Sequence, residues 1–414
     1  MISVEDALRT ILDSVDILGL EKVNILSALG RVIGEDIYAG RAIPPKDNSA
    51  MDGYAVRSMD VFGASAKNPI LLEVIEDLPA GSVSLKTIGK RQAARIMTGA
   101  YVPEGADAVI PVEDTKKEGE RVVILAGIQT GENIRFAGED VQMGERVIAK
   151  GEILRPAHIG MLASLGRSFV FVHQKPLIAI VSSGDELADI DEPSPLKIVS
   201  SNSYSLAALV LACGAVPMQM GIAKDRREDL IEKFKSAMRA DLILSSGGVS
   251  VGDFDLVKDV MKQKGNQMNF WQVAMKPGQP LAFGSLEDVP VIGLPGNPVS
   301  SMISFEQFAR PAILKMMGHK NLFRKTVTAR LTEDIHKKAG KRHFIRGVIK
   351  QDAEGYTACT TGEQGSGILK SMVMANGLII LPPEMTHARA GDEATVQLLD
   401  DSLQMTAQPG YPQP

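Results

Sequence analysis

Between residues 175 and 316, short apolar runs alternate with helical stretches, and three of the runs end alike. Leu177–Val181 leads into Ser182-Ser183-Gly184-Asp185-Glu186, and Asp241–Leu244 into Ser245-Ser246-Gly247-Gly248-Val249-Ser250-Val251-Gly252. Val289–Leu294 leads into Pro295-Gly296-Asn297-Pro298. Helices are expected from Ser201-Asn202 to Gly214, over Arg227–Met238 and from Pro298 through Met316, with a strand over Val216–Gly221. That alternation predicts a doubly wound α/β domain with a parallel sheet. In such sheets ligands bind at the carboxyl ends of the strands, where glycines let backbone N–H groups approach an anion. One such loop is ordinary turn chemistry; three in one domain point to a phosphate-bearing ligand. None matches GxGxxG or GxxxxGK[ST], so ordinary dinucleotide or nucleoside-triphosphate binding is not supported.

Acids gather in the same loops: Asp185, Glu186, Asp225, Asp253 and Asp255. Carboxylates repel bound phosphates unless a hard cation lies between, and Mg²⁺ is the usual mediator. The competing reading is helix capping, which suits Asp185, Asp225 and Asp253 equally well. Lys276 falls in the turn Met275-Lys276-Pro277-Gly278, where a lysine is ordinarily solvated.

The flanks read differently. Residues 3–18 show a helical apolar face with Ser3 and Asp6 as a capping box. Short β-branched runs with Gly, Pro and Asn punctuation cover 47–140 and return after 326, while Pro156 and Gly166 bracket another helix. The expected organisation is a discontinuous N-terminal helical and linker domain (1–46 and 141–173) interrupted by a small β domain (47–140). An α/β domain (174–320), a C-terminal β-barrel-like domain (321–403) and a disordered tail (404–414) follow. Lys and Arg number 45 against 50 Asp and Glu, a net charge of −5 without a basic block, which disfavours nucleic-acid binding. The longest apolar run in a helical stretch, Leu206–Ala212, is far short of a membrane span, and the N-terminus does not resemble a signal peptide. Two distant cysteines and six scattered histidines suggest neither a disulfide framework nor a zinc motif. A cytoplasmic protein is expected.

Seven segments carry a resemblance: DNSAMDGYAV (47–56), RIMTGAYVPEGADAVIPVED (95–114), GENIRFAGED (131–140), SSGDEL (182–187), SSGGVSVGDFD (245–255), AMKPGQPLAFG (274–284) and GLPGNPVSS (293–301). In this order they resemble the MoeA family, the molybdopterin molybdenumtransferases related to the gephyrin E domain, and the likeness runs to about residue 400. The resemblance implies an elongated homodimer with a MogA-like central domain. It also implies a reaction in which adenylylated molybdopterin and molybdate give molybdenum cofactor and AMP, assisted by Mg²⁺ or a similar divalent cation. Transient partners would be a MogA-like protein and molybdoenzymes or their chaperones.

Carried onto this chain, the family's catalytic positions match Asp52, Asp140, Glu186, Asp225, Asp255 and Lys276, with Glu186, Asp225 and Asp255 as cation ligands. The glycine loops, with Ser183, Gly184, Gly247, Gly248, Ser250, Gly252, Pro295, Gly296, Asn297 and Pro298, would hold pterin phosphate and adenylate. Thr98 matches the TGA threonine, and Arg342, Arg346 and Ser366 would line the molybdate wall. Read alone, Asp52 and Thr98 are turn formers, Asp140 is a loop acid, and both arginines lie in a basic, solvated stretch with Lys337, Lys338 and Lys341. Gln279 stands where family members often carry a second lysine, and Gln272 where a lysine or another polar residue is common. Two further readings are a MogA-like adenylyltransferase and a non-catalytic pterin-binding scaffold. The β domains on either side disfavour the first, and the complete acid set disfavours the second.

Overall fold

The computed structural model describes residues 1–247, 267–270, 272–405 and 409. The chain divides into two compact units: residues 22–29 with 33–171, and residues 1–21, 30–32 and 172–414.

In the first unit, six strands form one mixed sheet: β1 (Gly53–Val56), β2 (Ser65–Leu78), β3 (Gln92–Ile96), β4 (Ala108–Pro111), β5 (Thr115–Glu118) and β6 (Arg121–Ala126), in the order β4-β1-β3-β2-β6-β5. Side chains alternate between two cores. Tyr54 and Val56 pack with Leu72, Val122 and Ile124, whereas Ala55 packs with Leu78, Ile96 and Val109. That two-residue period is what a strand buried on both faces produces. Two small antiparallel ladders, Asn48–Ser49 with Ile134–Arg135 and Ile37–Tyr38 with Arg146–Ile148, zip the chain entering the sheet to the chain leaving it. Helix α1 (Pro156–Ser164) starts on its proline, and Gly166 follows its end at φ +75°.

The second unit holds a six-stranded sheet of β7 (Leu177–Ser183), β8 (Val216–Ala223), β9 (Leu242–Ser246), β10 (Gln267–Phe270), β11 (Ala282–Leu286) and β12 (Val289–Leu294). Its order is β8-β7-β9-β12-β11-β10. The first four strands are parallel, as the alternation predicts, but β11 runs antiparallel to both of its neighbours, β12 and β10. The reason is the two-residue connection at Glu287-Asp288: Leu286 pairs with Val289, and only an antiparallel hairpin closes over so short a loop. Ile178, Ile180, Leu242, Leu244 and Ile292 face one core with α2 (Ser201–Ala212), and Ala179, Val181, Ile243 and Val291 face the other with α3 (Arg227–Ala237). Helices on both faces make the domain doubly wound.

Two expected helices differ. The N-terminal one spans Val4–Asp13 rather than 3–18, because Ser14 N–H and Val15 N–H turn back to Ile11 and Leu12 and close the last turn early. The one from Pro298 is interrupted: Pro298–Ser304 and Arg310–Met316 flank a π-helical turn over Phe305–Ala309. Pro311 explains this, since it has no N–H to offer the preceding turn.

Beyond residue 325, five strands close into a barrel. Arg342–Asp352 pairs with Gly355–Thr360 and with Gly377–Leu381, and Glu393–Leu398 joins the latter to Thr326–Leu331. Pairing of Thr326–Leu331 with Gly355–Thr360 completes the ring around Leu331, Ile345, Ile349, Ile379 and Val396. No described helix is long and apolar enough to cross a membrane.

Candidate active site

At the carboxyl ends of the parallel strands lies a cavity of about 590 Å³, a size suited to a nucleotide- or pterin-sized ligand. Ser183, Glu186, Gly247, Pro295, Gly296, Asn297 and Pro298 all line it, so the three glycine loops converge as their shared position at strand ends requires. Gly184 and Gly247 cannot be replaced freely. Gly184 has φ +146°, and a Cβ there would lie 2.5 Å from a carboxylate oxygen of Glu186. At Gly247, with φ +87°, a Cβ would lie 2.4 Å from the Ser183 carbonyl oxygen. Gly247 thus keeps its loop pressed against the end of β7, whereas Gly184 makes room for the Glu186 side chain of its own loop.

Two polar atoms of the lining are buried without a partner among the described residues, Ser183 Oγ and Asn202 Oδ1. A buried polar atom left unpaired is costly, so both are suited to a ligand's donors. The Asn202 side chain is fixed in that orientation, because its amide donates to Ser246 Oγ at 2.8 Å and to the Gly296 carbonyl at 2.7 Å. Ser203 hydrogen-bonds both Ser182 and Ser200 at 2.8 Å, tying the start of α2 to β7. Ser200, Ser201 and Asn202 were not among the expected site residues. Their signal was the Ser-Ser-Asn-Ser run at a helix start, which also reads as plain capping. Ile198, Val199, Leu187, Pro280 and Leu369 supply an apolar rim.

The acids fall into place differently from the capping alternative. No helix follows Asp185, and Arg226, not Asp225, is the N-cap position of α3. Instead the two loops are crossed. Asp185 N–H donates to Asp225 Oδ2 at 3.2 Å, and Asp225 N–H donates to Asp185 Oδ1 at 3.4 Å. Glu186 stays exposed at the cavity wall. Gly248, Ser250, Gly252, Asp253 and Asp255 lie outside the described residues.

A second cavity, of about 500 Å³, is bordered by Lys276, His336, Lys337, Lys338, His343 and Arg346. Burial, reinforced by Lys337, Lys276 and Lys341, pushes the His343 imidazole down to about 4, so it is neutral at physiological pH. Arg346 corrects the solvated reading: it is 1% exposed, and burial lowers its pKa. Its Nε donates to Ser371 Oγ at 3.0 Å and a terminal nitrogen to the Gly365 carbonyl at 3.0 Å, which steadies the loop carrying Ser366. The Ser366 carbonyl in turn accepts from Val299 N–H at 3.1 Å, while Gly367 of the same loop reaches the first cavity. Arg342 is paired with Glu5. Gln279 accepts a hydrogen bond from Lys341 Nζ, so an ammonium stands beside the position where the family often carries a lysine.

In the other unit, Asp52 and Thr98 come together: Asp52 Oδ1 accepts both the Thr98 N–H and hydroxyl, each at 2.7 Å. These bonds, the backbone one foremost, and the charge of Arg95 hold the Asp52 carboxyl below its ordinary range, and its second oxygen has no hydrogen-bond partner among the described residues. Asp140 is exposed, with its N–H on the Ile43 carbonyl at 3.1 Å. Asp47 Oδ1 accepts from Ala137 N–H at 2.8 Å, joining the loops that carry Asp52 and Asp140.

Three family models match the chain: the MoeA N-terminal region (domains I and II) over residues 2–166, a probable molybdopterin-binding domain over 179–315, and the MoeA C-terminal region (domain IV) over 328–399. A relative from Mycobacterium tuberculosis, molybdopterin molybdenumtransferase 2, is 37% identical over 96% of this chain and 99% of its own. A molybdopterin molybdenumtransferase from Staphylococcus epidermidis is 36% identical over 97% of this chain and 96% of its own. Among solved structures, the molybdopterin biosynthesis MoeA protein of Pyrococcus horikoshii OT3 matches with a TM-score of 0.79 and 34% identity, covering 96% of this chain and 100% of that one.

Proposed function

The chain belongs to the MoeA family, and we propose that it is a molybdopterin molybdenumtransferase, inserting molybdate into adenylylated molybdopterin with release of AMP. The observation that carries the reading is the cavity at the strand ends, where Ser183 Oγ and Asn202 Oδ1 lie buried and, among the described residues, unpaired, on a wall that Glu186 also lines. Serine, amide and backbone donors there bind the phosphates, and the apolar rim takes a flat ring.

Glu186 and Asp225 fit Mg²⁺ by donor type, because carboxylate oxygens are hard ligands, and Asp185, the residue before Glu186, is hydrogen-bonded to Asp225. The ion, when bound, supplies charge neutralisation at the phosphoanhydride. Asp255 completes that set in the proposal. Lys276, whose ammonium is without a hydrogen-bond partner among the described residues, adds positive charge. Arg342 and Ser366 receive molybdate, with Arg346 as a positioning residue behind Ser366. Asp52, kept ionised by Thr98, and Asp140 are the catalytic acids that the family resemblance assigns to the first unit. Such a site works by positioning and charge rather than by a nucleophilic side chain. The working form is a homodimer in the cytoplasm, with transient contacts to a MogA-like protein and to molybdoenzymes or their chaperones. The test is incubation with adenylylated molybdopterin and Mg²⁺, with and without molybdate. AMP release that requires molybdate supports the proposal; binding without AMP release refutes it, as does AMP formed only from ATP.

A further inference from the structure

A two-stranded antiparallel ribbon in the C-terminal region pairs Ile335–His336 with His387–Ala388. The register sets His336 directly opposite His387, so both rings emerge on one face. They stack with centroids 4.1 Å apart and planes 16° apart. Asp334, two residues before His336, turns toward them. Its Oδ2 accepts from His387 Nε2 at 3.1 Å, and its Oδ1 accepts from Ala390 N–H at 2.8 Å. One ligand atom from each of the three residues lies within 4.8 Å of the other two, the one such trio found among the described residues. The His336 ring makes no hydrogen bond among those residues; its contacts in the cluster are the stacking on His387 and the charge of Asp334.

We propose that Asp334, His336 and His387 form a binding site for a divalent first-row transition cation such as Zn²⁺. One carboxylate oxygen and two imidazole nitrogens are a donor set for Zn²⁺ and its neighbours, whereas Mg²⁺ takes oxygen ligands. Three protein ligands leave a position for water. The Ala390 N–H orients the carboxylate through its other oxygen, as the outer shell of a metal site does. The cation takes the place of the hydrogen bond between His387 Nε2 and Asp334 Oδ2. Bound metal clips residues 334–336 to 387–390 and fixes His336 on the wall of the second cavity. Lys337 and Lys338, next in the chain, oppose the added charge and temper the affinity. The proposal does not depend on the transferase reading.

The experiment uses the full chain, stripped of metal by chelator dialysis and titrated calorimetrically with Zn²⁺ in the presence and absence of excess Mg²⁺. His336→Gln breaks no hydrogen bond and therefore reads the site without disturbing the ribbon. It is expected to weaken one Zn²⁺ equivalent by ~10-fold or more, and His336→Gln/His387→Gln to abolish it. Excess Mg²⁺ leaves the wild-type equivalent in place, and Zn²⁺ raises the thermal midpoint of wild type but not of the double variant. The proposal is overturned if His336→Gln binds Zn²⁺ as wild type does, or if Mg²⁺ displaces it.

Discussion

Gly247→Ala tests whether the cavity floor depends on loops pressed together at the strand ends. The new methyl would lie 2.4 Å from the Ser183 carbonyl oxygen and 3.3 Å from Ser183 Oγ, on a backbone at φ +87°. A left-handed conformation costs alanine about 1–2 kcal/mol, and overpacking adds about 1–3 kcal/mol where the obstacle is backbone. The obstacle here belongs to β7, paired directly with β9 through Ser182 and Ser246, so neither partner yields easily. We therefore expect a loss of about 2–5 kcal/mol in urea unfolding, together with a shift of Ser183 that weakens AMP binding by ~10-fold or more. Gly184→Ala is the internal control. The atoms nearest its methyl are those of the Glu186 carboxylate, which can swing aside, so stability falls by about 1–3 kcal/mol from the backbone conformation alone, and the Mg²⁺ requirement changes as well. Equal midpoints and equal AMP affinity for Gly247→Ala and wild type would refute the reasoning.

Arg324→Ala should destabilise by up to about 3 kcal/mol, the low end for a broken buried pair, because the buried Glu306 carboxylate loses its contacts at 2.8 and 3.0 Å but keeps Arg310 at 3.9 Å; thermal unfolding reads this, and adding Glu306→Gln should recover part of the loss. Thr98→Val removes one of the two bonds on Asp52 Oδ1, so the carboxyl pKa rises toward its ordinary value and, where Asp52 must be ionised, the acid limb of activity moves to higher pH; carbon NMR of Asp52 checks the first part. His343 is about 4 when folded against an ordinary 6.5, so the unfolded chain binds the extra proton between those values. Its contribution is intact above pH 6.5 and is lost as pH falls toward 4, and His343→Leu should flatten that part of the stability profile.

The central domain was legible because its strands are uniformly apolar and end in glycine loops, two signals that point to the same topology. The antiparallel edge was not, because Glu287-Asp288 lacks the Asn-Gly signature of a tight hairpin, although Glu287 adopts φ +51° there. Sequence motifs also placed Glu186 and the Pro295–Pro298 turn beside one cavity. Asn202 escaped, since an asparagine at a helix start reads as a cap until its amide is seen spanning two loops. Arg346 looked solvated among lysines, and only the closed barrel shows it fully enclosed. Pairing in three dimensions, not residue type, decided both.

Molybdenum incorporated into the pterin, counted against AMP released in a single turnover, tests the central claim most directly. The account predicts equal amounts of both, a requirement for molybdate and a divalent cation, and loss of both products in Glu186→Gln. AMP released at the same rate without molybdate, or molybdenum inserted without AMP, would contradict it.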